Sequence, residues 1–377
     1  VTAPPSVSLA PLVSEREIVV CCGSGGVGKT TTAAALALEA ARRGRRACVV
    51  TIDPAKRLAD ALGLKELTNK PGRIEGDWSR PGGSGGELWA LMLDTKSTFD
   101  DLVVRYSDDE EQARRILDNR LYRNISGALS GTQEYMAMEK LYELHSEGRF
   151  DLVVVDTPPT RNALDFLDAP RRLTRFLDNR IFRLLITPTR AYLRAVSVAT
   201  QAFLRTVSKV VGGEVVADAV AFFQAFEGME AGFRERAQHV LGLLSDPSTA
   251  FVLVATPRRD AVDEALFFAQ KLAESKIEVD ALIVNRLYPR FGEGSAAEAG
   301  ARAESLQGTP LAGLYRSLAD FRQVAEREES YFADLAAEVA PAPVARVPFL
   351  AADVHDVDGL VRVGAFLFPQ ADAQVDS

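Results

Sequence analysis

Gly23-Ser24-Gly25-Gly26-Val27-Gly28-Lys29-Thr30-Thr31 decides the fold. It fits G-x-x-x-x-G-K-[ST], the pattern of a phosphate-binding loop. Such a match needs a strand before it and a helix after it. Ile18-Val19-Val20-Cys21-Cys22 is a short apolar run and reads as a buried strand. Ala33 to Arg43 is rich in Ala and Leu and reads as a helix. Glycines let backbone N–H groups close around phosphate oxygens with no Cβ in the way. The helix N-terminus adds the positive end of its dipole. Lys29 is expected to reach the β- and γ-phosphates of a nucleotide, and the Thr30 hydroxyl to ligate Mg²⁺.

Outward from this loop, strands and helices alternate. Ala47 to Ile52 reads as a strand ending in Asp53-Pro54-Ala55, with a helix from about Lys56 to Leu62. Further strands are expected at Leu88 to Leu93, Leu152 to Val155, Phe251 to Ala255, Ala281 to Val284 and Val344 to Val347. The run Leu152 to Val155 is continuously apolar, as in parallel sheets covered on both faces. The alternation implies an α/β fold with a doubly wound, mostly parallel sheet and ligands at the strand carboxyl ends. Gly23, Asp53, Asp156 and Asn285 all fall at or just after such ends. Residues 99–147, with a break near 126–131, and 170–245, with breaks at Pro188 and Gly212-Gly213, read as an inserted helical subdomain. Residues 70–86 read as a flexible loop rich in Gly and Pro. Val357 to Phe368 reads as a last helix. The nucleotide-binding domain is thus expected over 16–368, between a disordered leader at 1–15 and a polar tail at 369–377.

Composition narrows the function. With 47% hydrophobic and 25% charged residues the chain is that of a soluble globular protein. A net charge of −8 argues against a nucleic-acid surface. Cys21, Cys22 and Cys48 form no C-x-x-C pair and fall in expected buried strands, which fits a reducing cytoplasm. No uncharged run approaches the roughly 20 residues of a membrane span. His145, His239 and His355 show no ligand spacing.

Three separated motifs point to one family. The chain resembles the arsenical-pump ATPases and the ATPases that target tail-anchored membrane proteins, dimeric P-loop ATPases with a deviant Walker A motif; actinobacterial members are the most similar in character. The family loop G-K-G-G-V-G-K-T-T is here Gly23 to Thr31, with Ser24 in place of the first Lys. Its switch I, D-P-A-H-S-L, is matched by Asp53-Pro54-Ala55-Lys56-Arg57-Leu58. Its switch II, D-T-A-P-T-G-H-T-L-R-F-L, is matched by Asp156-Thr157-Pro158-Pro159-Thr160-Arg161-Asn162-Ala163-Leu164-Asp165-Phe166-Leu167. Weaker matches are Gly131-Thr132-Gln133-Glu134, Pro257 with Glu264, Val284-Asn285-Arg286-Leu287 and Val347-Pro348-Phe349.

The resemblance implies a Mg-dependent ATPase. Asp53 is then the catalytic Asp that orients the attacking water, against its plainer reading as a helix cap. Asp156 holds Mg²⁺ through water, or is a turn residue before Pro158. Thr160 senses the γ-phosphate within switch II, or caps a helix. Glu264 approaches the nucleotide of the neighbouring subunit, Asn285 reads adenine, and Pro348 and Phe349 line the base.

Ser24 departs from the pattern. In these dimers the missing Lys crosses to the partner's nucleotide. A cation supplied in that way is worth about 10³–10⁵ in turnover in GTPases. A homodimer of this chain is therefore expected to hydrolyse ATP slowly, unless Arg161, Arg57 or Lys56 substitutes or a paralogue that keeps the Lys pairs with it. The zinc site of relatives is not expected, because no cysteine follows Cys48, nor is their arsenite site, because Cys21, Cys22 and Cys48 fall in strands rather than at the family's thiolate positions. Val196, Phe203, Val207, Val211, Val216, Phe222, Phe223, Phe226, Met229 and Phe233 recur at helical spacing. They form either a groove for a hydrophobic protein client or ordinary core. Two further readings stay open: a non-hydrolysing ATP-binding regulatory subunit, and a partition- or septum-positioning ATPase, which the acidic charge and polar tail count against.

Overall fold

A computed structural model describes residues 9–53, 56–76, 85–125, 132–157, 169–172, 174–175, 178, 218, 221–222, 225 and 229–369. The chain divides into two units. One comprises Val1–Met92, Glu147–Leu164 and Pro247–Ser377, the other Leu93–Ser146 and Asp165–Asp246.

The first unit is built on an eight-stranded sheet. Its strands are β1 (Ile18–Cys22), β2 (Arg46–Thr51), β3 (Gly72–Arg73), β4 (Glu87–Met92), β5 (Leu152–Asp156), β6 (Thr249–Ala255), β7 (Ala281–Leu287) and β8 (Val344–Pro348). They lie in the order β3-β4-β2-β5-β1-β6-β7-β8. All pairs are parallel except β3 with β4. The fold is therefore a doubly wound α/β sheet. The short strand β3 is an addition to the expected set. It comes from the stretch read as loop, because Gly72 and Arg73 pair with Ala90 and Trp89 along the free side of β4.

Parallel register puts the carboxyl ends on one edge. Asp156 at the end of β5 is opposite Cys21 of β1 on one side and Thr51 of β2 on the other. Every residue of β1, β5 and β6 is buried. Helix α2 (Lys29–Arg42) follows the glycine loop, and eleven of its residues are buried. Most are alanines, whose short side chains let a helix axis approach a sheet. α3 (Arg57–Ala61) follows β2.

One expectation is corrected here. The stretch read as a disordered leader contains helix α1 (Ala10–Ser14), with Pro11 in its first turn. Leu9, Leu12 and Val13 join the hydrophobic core around α2, and the Leu9 N–H donates to the Leu367 carbonyl. Three apolar residues in five outweigh the prolines, because Pro is tolerated at a helix start. The tail at 370–377 lies outside the described residues.

The second unit is helical, with α4 (Thr95–Tyr106), α5 (Glu110–Leu117), α6 (Arg120–Ile125), α7 (Thr132–Ser146) and α8 (Glu230–Leu244). Asp94 and Asp109 cap α4 and α5 by accepting from the Ser97 and Gln112 N–H groups. Its core is aromatic. Phe99 lies 5.4 Å from Tyr122 and Tyr106 lies 5.1 Å from Phe233, centroid to centroid. Phe222, Met229 and Phe233 are buried, so these three members of the apolar stripe are core rather than groove lining. Val196, Phe203, Val207, Val211, Val216, Phe223 and Phe226 lie outside the described residues.

After β6 the first unit continues through α9 (Arg259–Glu274), α10 (Ala296–Ser305), α11 (Pro310–Tyr331), α12 (Ala333–Glu338) and α13 (Val357–Leu367). Among the described residues no helix is long and apolar enough to cross a membrane.

Candidate functional site

The loop between β1 and α2 turns on glycines with left-handed backbone, among them Gly26 at φ 76° and Gly28 at φ 98°. Gly28 is required twice over. A Cβ there would lie 2.2 Å from Asn285 Nδ2, and a positive φ disfavours any side chain. Asn285 approaches so closely because it holds the loop. Its Nδ2 donates to the Val27 carbonyl at 2.8 Å, and its Oδ1 accepts from the Arg286 N–H at 2.9 Å. Gly28 is also the N-cap of α2 and offers no side-chain cap. The N–H groups of the first turn are left to an anion.

Charges gather beneath the loop. Lys29 is buried, and its ammonium donates to the Ser24 carbonyl at 2.8 Å. Burial pulls its pKa below the usual lysine value, and the Asp156 carboxylate pulls it back up. Asp156 is also buried. Its Oδ2 accepts from the Thr30 hydroxyl at 2.7 Å and the Thr51 hydroxyl at 2.9 Å. Its Oδ1 is buried with no hydrogen-bond partner. Burial raises the Asp156 pKa above the usual aspartate value, while the two hydroxyls and Lys29 lower it. Asp53 sits one strand over, at the end of β2. It pairs with Arg57 of α3 at 3.3 Å and its charge is felt by both Lys29 and Asp156.

Most of the singled-out residues lie on the two flanks of the loop. Gly26, Gly28, Lys29, Thr30, Thr31, Asp53, Asn285, Pro348 and Phe349 line one cleft of about 420 Å³. Ser24, Gly25, Gly26, Val27, Glu264 and Phe349 line a second, of about 370 Å³, on the other flank of the loop. Gly23 lies deeper, where an added Cβ would meet the Val254 carbonyl of β6 at 2.1 Å. Thr160 and Arg161 lie outside the described residues, as do Pro54 and Ala55. Lys56 lines neither cleft; it faces a cavity of about 50 Å³ with Thr51 and Met92. Asn285 spends one donor and one acceptor on the backbone, so one N–H and one lone pair remain for a ligand.

Two participants are assigned no role by the sequence: Thr51 lies outside every motif, and Thr157 lies within switch II. Thr51 holds Asp156 from the neighbouring strand. Thr157 donates its hydroxyl to the Cys21 carbonyl at 2.7 Å and ties the end of β5 to β1. The only sequence signal of Thr51 is its position at the end of β2. The three thiols are buried. Burial pushes Cys22 up to about 12 and Cys21 well above the usual value, so both stay protonated.

Comparison with known proteins agrees with this geometry. The profile of the anion-transporting ATPase family matches residues 16–307. The chain is 24% identical to the ATPase GET3 of Phaeosphaeria nodorum, over 74% of this chain and 80% of that one. It is 23% identical to a putative arsenical pump-driving ATPase of Aquifex aeolicus, over 93% of this chain and 78% of that one. An uncharacterised protein of Streptomyces coelicolor is 30% identical, over 80% of this chain and 67% of that one.

Proposed function

This chain belongs to the anion-transporting ATPase family and is an ATP hydrolase, and from that premise we propose a magnesium-dependent reaction centred on Lys29, Asp53 and Asp156. The observation that supports it is the convergence of these three charges at one end of the sheet, beside a glycine loop whose N–H groups are open to phosphate.

The residues divide the work. The loop from Gly23 to Thr31 grips the phosphate chain with backbone N–H groups. The Lys29 ammonium leaves the Ser24 carbonyl for the β- and γ-phosphate oxygens. The Asp53 carboxylate accepts a hydrogen bond from water and aims its oxygen at the γ-phosphorus. A new P–O bond forms there as the bond to the bridging oxygen breaks, and one of the water's protons passes to another oxygen of the released phosphate, giving ADP and dihydrogen phosphate. Pro348 and Phe349 flank the base, and the spare donor and acceptor of Asn285 face its edge. Thr160 and Arg161 act from switch II. Positioning and charge carry such a reaction, with little covalent work for the protein.

The residues fit a magnesium ion. Asp156 keeps a buried acceptor without a partner, and a threonine hydroxyl lies 2.7 Å from its other oxygen. Hard oxygen donors of this kind suit Mg²⁺. Thr30 would hold the ion directly and Asp156 through water, and the ion supplies charge neutralisation on the phosphates.

We further propose a nucleotide-switched dimer in the cytoplasm that handles a hydrophobic protein client, with a Lys-bearing paralogue compensating for Ser24. The placement of Ser24, Gly25 and Glu264 around the second cleft supports an approach of another subunit at that flank. Ser24 also favours a second reading, an ATP-binding subunit that does not hydrolyse. Steady-state turnover of the purified chain against Asp53→Asn separates them. A wild-type rate well above the variant supports hydrolysis, and equal negligible rates support the binding subunit. Co-purification from the native host tests the paralogue: a chain that elutes only with itself removes it.

A further inference from the structure

Between Val284 and Leu287 the register of β7 on β8 shifts, so the strand bulges. Arg286 sits in the bulge at φ 60°, a left-handed conformation that a residue other than Gly adopts at a cost. Bulges beside active sites re-aim side chains. This one turns Asn285 into the phosphate loop and leaves Arg286 lining both clefts, on either flank of that loop.

The cations of the two clefts can be compared one by one. Lys29 is held by the Ser24 carbonyl. Arg57 is paired with Asp53 at 3.3 Å. Arg258 is paired with Asp260 at 2.7 Å. Among the described residues lining the clefts, Arg286 is the cation whose guanidinium has no partner. Three carboxylates, Asp53, Asp60 and Asp353, line the first cleft. A polyphosphate brought there needs a charge that is not already committed.

We propose that Arg286 contacts the phosphate chain of the bound nucleotide, as a side-chain cation reaching in from β7. This rests on the nucleotide-binding reading above and deepens it. The Asn285 clasp fixes the base of the side chain to the loop, so the guanidinium is held near the phosphates while its fork stays free. A charge-assisted contact of this kind is worth about tenfold or more in affinity.

The test is calorimetric titration of the full chain with MgATP, at low and raised KCl, for wild type, Arg286→Asn and Arg286→Lys. Asn tolerates left-handed backbone and removes the charge. The proposal expects Arg286→Asn to bind about tenfold more weakly at low salt, with the gap closing as KCl screens the contact. Arg286→Lys should recover most of the affinity, and the nucleotide-free unfolding midpoint should hold for both. Unchanged affinity in Arg286→Asn overturns it. So does a loss that ignores salt and is not recovered by Lys. Wild type that binds no MgATP removes the parent reading as well, whereas wild type that binds beside an equally competent Arg286→Asn removes this inference alone.

Discussion

Each unit buries opposite charges, and the two treat them differently. In the helical unit, Glu139 of α7 and Arg236 of α8 are in direct contact, Arg236 Nε donating to Glu139 Oε1 at 2.5 Å. The guanidinium lies over the Tyr142 ring, 3.9 Å from its centroid. In the sheet unit, Lys29 and Asp156 feel each other but do not pair. One is held by a carbonyl, the other by two hydroxyls. Both places leave buried polar atoms unpaired: Asp156 Oδ1 in one, and Tyr135 Oη, Glu139 Oε2 and Arg236 Nη2 in the other. An orphaned atom therefore does not by itself mark a site. Charges kept apart by neutral partners, next to open space, are poised for a ligand. Charges closed on each other hold helices together.

That contrast can be broken at several points. The largest effect is expected from Asp53→Asn, which should lower kcat about 10²-fold or more with MgATP affinity within a few-fold, read by steady-state kinetics beside calorimetry. Retained turnover would make the cleft charges structural like those of the helical unit. Next, Arg236→Met should destabilise the protein by about 3–5 kcal/mol in urea unfolding, because it leaves Glu139 buried and unpaired. Adding Glu139→Gln should recover much of the loss, and no recovery would mean that packing rather than charge holds α7 to α8.

Asp156→Asn should act in the opposite direction. Burial raises the Asp156 pKa, so the folded state favours the protonated acid. That contribution is full below the unfolded pKa and is lost as pH rises through the folded value. The nucleotide-free variant should therefore gain about 1 kcal/mol over wild type at neutral pH, and the gain should vanish in acid. A variant less stable at neutral pH would show that Asp156 is structural. The smallest effect belongs to Lys96→Ala. Lys96 pairs with Asp100 at 2.6 Å in an exposed position, and its removal should shift unfolding by less than about 0.5 kcal/mol.

Much of the sheet unit was legible in the sequence. Continuous apolar runs give β1, β2, β5, β6 and β7, and the glycine pattern gives the loop, because both signals are local. What was missed depends on distant partners. Leu9, Leu12 and Val13 look like a leader until α2 and α13 provide a surface to bury them against. Phe222 and Phe233 have the same spacing whether they line a groove or fill a core, and their ring contacts with Phe99, Tyr106 and Tyr122 decide for core. Asn285 was legible as a strand-end amide, but its donation to the Val27 carbonyl depends on the end of β7 lying beside the loop after β1, with β6 between the two strands. Arg286 carries no sign of a bulge, since left-handed backbone is signalled by Gly or Asn and here falls on arginine.

The Asn285 clasp also bears on protein engineering. A graft of residues 18–42 into a foreign sheet would carry the glycines and Lys29 but leave their restraint behind on β7. The Val27 carbonyl would then be solvated by bulk water, and the transplanted segment would sample many shapes before meeting a phosphate. A portable version has to bring a seventh strand with it, kink included, so the smallest transferable module is two non-adjacent pieces of chain rather than one contiguous motif.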